Sequence, residues 1–312
     1  MTTQPAAGRA GGRAARIENE PFVRIGRPSG FVSGTISSIR DIWSQRELLG
    51  LLSRREIVSR YKNSSLGIIW SLARPLVQLL IYWFAIGIIL GAQRTVPDFA
   101  IFVFIGLSMW SLFTDIVTYS VTSITANSGI VKKVSLPTEV FPLSTVGVAL
   151  LNFAAQLVVL FAAMLVFGRF PLTADLLYAP LALILIIIYA TAIGLLIAGL
   201  NVYFRDTEHL IEVVLVVLFW ASPIVYSFTY VHQALDGSWI EQLYLANPAT
   251  IAIVGMQQAL WVGGVTATGP LAQVFPDDLA IRMLVMLGIS LVLLWLAQRI
   301  FGRLSRNFAQ EL

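Results

Sequence analysis

Of the 312 residues, 57% are hydrophobic and only 12% charged, against roughly 25% charged in soluble domains, which excludes a chain whose whole surface faces water. On so apolar a chain the net charge of +4 reads as membrane topology and anionic lipid rather than nucleic acid. Cysteine is absent and His209 and His232 are the only histidines, which excludes disulfides and Cys-based nucleophiles or metal sites and argues against a His-clustered metal site.

The first thirty residues carry five Arg among Gly and Ala but no apolar run of the kind a cleavable signal needs. Residues 1–34 are therefore expected to be a disordered, basic, cytoplasmic tail. Residues 35–66 read as an amphipathic interface helix. Ile36, Ile39, Ile42 and Trp43 fall on one stripe at helical spacing, and the apolar phase shifts at Leu48, Leu49 and Leu52. Its arginines occupy other faces. Such a helix lies in the cytoplasmic headgroup plane or packs on a soluble partner.

A spanning helix needs about 20 predominantly apolar residues. Six segments qualify: 67–91, 99–122, 141–167, 178–203, 209–228 and 280–300. Between the fifth and sixth, Pro248 to Val262 is apolar but short, and reads as a re-entrant or interfacial helix. Charge separates six crossings from seven. Seventeen of the 21 Lys and Arg fall on one side in a six-span arrangement: eleven before the first span, then Lys132, Lys133, Arg205, Arg299, Arg303 and Arg306. A seventh crossing would put the basic C-terminal segment outside, against the positive-inside bias. The predicted fold is thus all-α: a six-span membrane domain over 67–303, short external re-entrant helices between spans five and six, a tail over 304–312, and both termini cytoplasmic.

No Lys directly follows a Gly, so no Walker A phosphate loop exists, and neither a Ser nucleophile elbow nor paired carboxylates within one span is present. Asp115 is the one acidic residue well inside a span. It reads as a polar contact to a neighbouring helix, with a proton relay as the alternative. Asn152 and Gln156, at i and i+4, are expected to hydrogen-bond another helix.

Four stretches carry a family resemblance. Arg60-Tyr61-Lys62-Asn63-Ser64-Ser65-Leu66-Gly67-Ile68-Ile69-Trp70-Ser71, with Arg74-Pro75-Leu76 after it, leads into span one. Lys132-Lys133-Val134-Ser135-Leu136-Pro137-Thr138-Glu139 joins spans two and three. Asn201 to Asp206 and Trp220 to Tyr226 mark spans four and five, and Asn247-Pro248-Ala249 precedes the last span. In this order they resemble ABC-2 type permeases, in the branch that exports O-antigen, capsule, teichoic acid and related polysaccharides, from about residue 45 to 312.

The resemblance implies a subunit of a bacterial plasma-membrane exporter with no catalytic, cofactor or metal residues of its own. It implies a second copy of the chain and two copies of a separate ATPase that carries ATP and Mg. Coupling to that ATPase would fall to Lys132, Lys133, Val134, Pro137 and Glu139, with a topological anchor as the alternative, compatible reading of the two lysines. The implied cargo is a polysaccharide on a polyprenyl pyrophosphate carrier, cell-wall galactan among the candidates. Arg54, Arg55, Arg60, Tyr61 and Lys62 would form a cytoplasmic gate, its basic members holding the pyrophosphate or, equally, anionic lipid. Trp70 and Phe84 on span one, and Phe99, Phe102, Trp110 and Phe113 on span two, would line the path; the alternative is lipid-facing or helix-packing aromatics. Other readings are an exporter of drugs or lipids, a proton-coupled carrier working through Asp115, and a membrane scaffold without transport.

Overall fold

The computed structural model describes residues 44–61, 69–133, 136–235 and 237–312. The expected tail, the stripe Ile36 to Trp43, Lys62 and Val134 lie outside the described residues, as do the side chains of Arg60, Tyr61 and Trp70.

Every regular element among the described residues is helical. Helix α1 (Arg46–Tyr61) is followed by α2 (Ile69–Ile81), whose bonding pattern widens over Tyr82–Ile89. There the N–H of Leu90 reaches back five residues to the carbonyl of Ala85, a π-type geometry found mostly in short stretches at functional places. Next come α3 (Phe99–Ala126), the single turn α4 (Ser128–Val131), α5 (Val140–Val166) and α6 (Tyr178–Tyr203). The chain continues through α7 (Thr207–Trp220), α8 (Phe228–Leu235), α9 (Trp239–Leu245), α10 (Pro248–Leu260) and α11 (Val262–Val265). It closes with α12 (Leu279–Leu304) and the short α13 (Phe308–Glu311).

Five helical stretches among the described residues are long and apolar enough to cross a membrane: Leu72–Ile89, Phe99–Ala126, Val140–Val166, Ala174–Tyr203 and Leu279–Asn307. The expected span over 209–228 differs. Its helix, α7, has 14 residues, about 21 Å at 1.5 Å per residue, short of the roughly 30 Å hydrocarbon core. It stops just ahead of Ser222-Pro223, because Pro223 has no N–H to give and disfavours helical geometry in the residue before it.

Helix α3 is the axis of the bundle. Of its apolar window 78% is buried, against 17% for the windows of α2 and α12, and it packs on α5, α6 and α10. Lipid is as apolar as leucine, so burial alone does not drive this assembly; close packing and interhelical hydrogen bonds do. Ser120 shares a 3.2 Å hydrogen bond with Thr145 of α5, and Asn201 of α6 donates to the carbonyl of Val121 at 3.1 Å. Gly194 allows the α3–α6 contact, since a Cβ there would lie 2.9 Å from the Ser120 side chain.

Candidate functional site

One end of the bundle collects α1, α4, the α6–α7 turn and the C-terminal helices. Helix α3 ends at Asn127, whose φ of −108° and ψ of 18° leave the helical path before α4 begins. Lys132 and Lys133 follow, both exposed; Pro137 is half-buried, and Glu139, immediately before α5, is fully buried. Thus the segment expected to meet an ATPase has an exposed basic tip and a buried acidic root.

Helix α1 lies across that segment. Ser53 donates to the carbonyl of Ser144 at 2.8 Å. Arg55 donates through Nη2 to Asn127 Oδ1 at 2.6 Å, while Asn127 Nδ2 donates to the carbonyl of Ser123 at 2.8 Å. Leu52 is buried with Ile124, Val140 and Phe141. Arg54, its neighbour, is exposed. Arg55 is exposed over 52% of its side chain as well, but it is bonded to Asn127 and lies 4.0 Å from the Glu56 carboxylate, so the two arginines, alike in sequence, differ in that Arg55 is engaged within the protein. Beside this assembly, Thr125, Ser128, Asn201, Val202, Arg205, Glu208, Glu311 and Leu312 line a cleft of about 340 Å³.

The structure does not bring the aromatic residues of α3 to an open surface. Phe99, Phe102, Trp110 and Phe113 are all at least nine-tenths buried. The Phe102 ring centre lies 4.5 Å from that of Trp261, Trp110 meets Phe219 edge-on at 5.9 Å, and Phe113 stacks on Tyr189 at 5.5 Å. Because α3 is surrounded, its large side chains fill the contacts with α6, α7 and the segment after α10. Phe84 differs: it is 55% exposed and, with Val77, Leu80, Ile81, Trp83 and Ala85, lines an open apolar groove of about 370 Å³ on the π-type stretch of α2. The polar contact expected of Asp115 is present. Asn152 of α5 donates to its Oδ2 at 2.8 Å, and Tyr119 lies 3.4 Å from the same amide.

The opposite end holds the break after α7. Polar groups of α10 answer the freed carbonyls: Gln257 donates to that of Pro223 at 2.8 Å, and Thr250, which also pairs with the hydroxyl of Ser222 at 3.3 Å, donates to the carbonyl of Ala221 at 3.5 Å. Non-helical backbone within a membrane protein persists only where protein groups satisfy it in this way. Helices α8 and α9 form a hairpin stitched by Glu241, which is 4% exposed. Its Oε1 lies 2.8 Å from His232 Nδ1, and its Oε2 accepts the N–H of Gly237 at 2.7 Å. Burial pushes this carboxyl up, but the hydrogen bonds from His232 and Gly237 and the charges of His232 and Arg282 more than offset it, leaving it below the usual carboxylate range. Nearby, Asp98 pairs with Arg169 at 3.1 Å, and Trp261 donates to the carbonyl of Pro97 at 2.7 Å.

Sequence reasoning missed Asn127, Glu241 and Asp98. The signal for Glu241 was present: Ser238 and Glu241 have capping-box spacing, and Ser238 does accept the Glu241 N–H, at 3.4 Å. Nothing in the sequence pairs Arg55 with a residue 72 positions later. Among the described residues no group of three or more His, Cys, Asp or Glu is placed to hold a metal.

Long apolar helices packed around a buried axis, with a basic crossing helix at one end and a broken element at the other, define a multi-spanning membrane protein. Comparison with known proteins then fixes the family: the chain belongs to the ABC-2 type transporter family, which it matches over residues 47–261. It is 27% identical over 277 residues to the O-antigen export system permease protein RfbA of Myxococcus xanthus, covering 89% of this chain and all of that one. A Klebsiella pneumoniae protein of the same name is 30% identical over 85% of this chain and 95% of its own. The polysialic acid transport protein KpsM of Escherichia coli is 28% identical over 70% and 83%.

Proposed function

We propose that the chain is the permease subunit of an ATP-driven exporter that moves polysaccharide out of the cytoplasm. The observation that carries this reading is the match to O-antigen export permeases along nearly the whole chain. The same description applies to capsule and polysialic acid relatives at greater distance. A subunit with no Walker A loop takes its energy from a partner, and two copies of an ATPase acting on two copies of this chain fit the family.

In finer detail, the cargo is a sugar polymer on a polyprenyl pyrophosphate, of the O-antigen, teichoic acid or galactan type. The segment from Lys132 to Pro137 meets the ATPase through its exposed lysines, with Glu139 buried behind it, and Arg54, Arg60 and Lys62 attract the pyrophosphate at the cytoplasmic mouth. Helix α2 and the π-type stretch after it, with Phe84, face the path or the second copy; their exposed apolar face supports this. The membrane body crosses six times, with α7 through α10 together forming the fifth crossing and its re-entrant return, and both termini lie in the cytoplasm of a bacterial cell.

Affinity purification of the chain from its native plasma membrane tests the reading. An ATPase subunit co-purifies, and the reconstituted pair exports lipid-linked polysaccharide extracted from the same cells only when ATP is supplied. A permease that purifies alone and hydrolyses nucleotide unaided would sink it.

A further inference from the structure

We propose that Arg55 and Asn127 are positioning residues that make α1 and the segment between α3 and α5 move as one body, carrying force from that segment to the first span. The proposal rests on the reading that the segment meets an ATPase, and assigns the link that the reading leaves open.

Asn127 occupies the break between α3 and α4 and is 7% exposed. Both ends of its amide are used: Nδ2 holds the carbonyl of Ser123 in the last turn of α3, and Oδ1 receives the Arg55 guanidinium at 2.6 Å. A charged donor on a neutral acceptor at this distance is among the stronger hydrogen bonds, and it needs no counter-charge that salt would screen.

The fastening is repeated on the far side of the segment. Ser53 donates to the carbonyl of Ser144, just inside α5, and Leu52 shares a buried cluster with Ile124 of α3 and Val140 and Phe141 of α5. A Cβ on Gly147 would sit 3.0 Å from the Ser53 hydroxyl, so α1 is seated too closely on α5 to slide. Helix α1 thus spans both anchors of the segment bearing Lys132 and Lys133. It also precedes α2, only 17% of whose apolar window is buried. An α1 fastened by hydrogen bonds to both anchors and followed by α2 is the arrangement in which displacement of α4 reaches α2.

The test uses the full complex in proteoliposomes, with lipid-linked polysaccharide extracted from the source cells, and compares polymer exported per ATP hydrolysed. Asn127→Ala and Arg55→Ala each lower that ratio by about tenfold, the scale of one lost charge-assisted hydrogen bond, while the ATPase stays bound and hydrolyses ATP. Arg55→Lys, which keeps a charged donor for Asn127 Oδ1, restores part of it, and the double alanine variant is no worse than either single one. Because the chain has no cysteine, spin labels at Leu51→Cys and Gly129→Cys, the latter in α4 with open space for a side chain, report the α1–α4 distance directly; it stays narrow through the ATP cycle in the parent and broadens in Asn127→Ala. An unchanged export ratio, additive single losses or an unbroadened distance each overturn the link. Failure of the parent complex to export overturns the proposed function instead, and the label distances then still decide the link.

Discussion

Gly106 is a residue whose task is set by what lies across from it. A Cβ at this position would meet the Cα and carbonyl oxygen of Ile224 at 3.1 Å and the Gln257 amide at 3.4 Å. Backbone cannot swing aside as a side-chain tip can, so Gly106→Ala is expected to destabilise the protein by about 1–3 kcal/mol, the usual cost of overpacking, and Gly106→Val by more. Gly50, on α1, has nothing within 4 Å of such a Cβ, and Gly50→Ala is expected to be neutral or stabilising by up to ~1 kcal/mol, as for a solvated helical glycine. Thermal unfolding of the two variants in one detergent measures the contrast; equal midpoints would refute the close approach. Gly106 lies at helical spacing from Phe102 and Trp110, but periodicity reports which residues share a face and not what the face meets. For that reason the aromatic residues could be read as lining a path or as helix packing; their rings pack against Trp261, Phe219 and Tyr189. Asp115 was legible because a carboxylate within a span has few alternatives to a polar neighbour, and Asn152 is that neighbour.

At the scale of elements, the α8–α9 hairpin depends on one buried carboxylate. Glu241 is held below the usual carboxylate range, so its bonds contribute stability above the unfolded-state value of about 4.3. That contribution is lost as pH falls through the lower, folded value. Hydrogen exchange across 228–245 is therefore expected to be slow near neutral pH and to accelerate only below about pH 4. Glu241→Gln turns one acceptor into an amide N–H₂ facing the N–H of Gly237, an unsatisfied contact worth about 1–3 kcal/mol. The hairpin of this variant should exchange fast already at neutral pH, without the acid transition. A parent-like acid transition in Glu241→Gln would assign the stability elsewhere. The hairpin also explains why the fifth span was hard to read. Residues 209–228 are apolar throughout most of their length, and hydropathy cannot see that Ser222-Pro223 ends α7 while Thr250 and Gln257, some thirty residues on, satisfy the break.

For the molecule as a whole, charge and helix order combine into a statement about sidedness. Arg54, Arg55, Lys132, Lys133, Arg205, Arg299 and Arg303 belong to α1, to the α3–α5 and α6–α7 connections and to the end of α12, while Arg94 and Arg169 belong to the α2–α3 and α5–α6 connections. Placing the basic set in the cytoplasm follows the positive-inside bias and puts the Asp98–Arg169 pair and the α8–α9 hairpin outside. It also requires α7, the broken segment after it and α10 packed against that segment to act as one composite crossing, because the five long helices alone would leave the two ends of the chain on opposite faces. The cysteine-free sequence makes this measurable with single substitutions. In intact cells a membrane-impermeant maleimide should label Thr268→Cys, in the stretch between α11 and α12, and leave Lys133→Cys and Arg306→Cys unlabelled until the membrane is opened. Labelling of Arg306→Cys from outside, with Lys133→Cys still protected, would mean that the broken element does not cross and that the exporter has an odd number of spans.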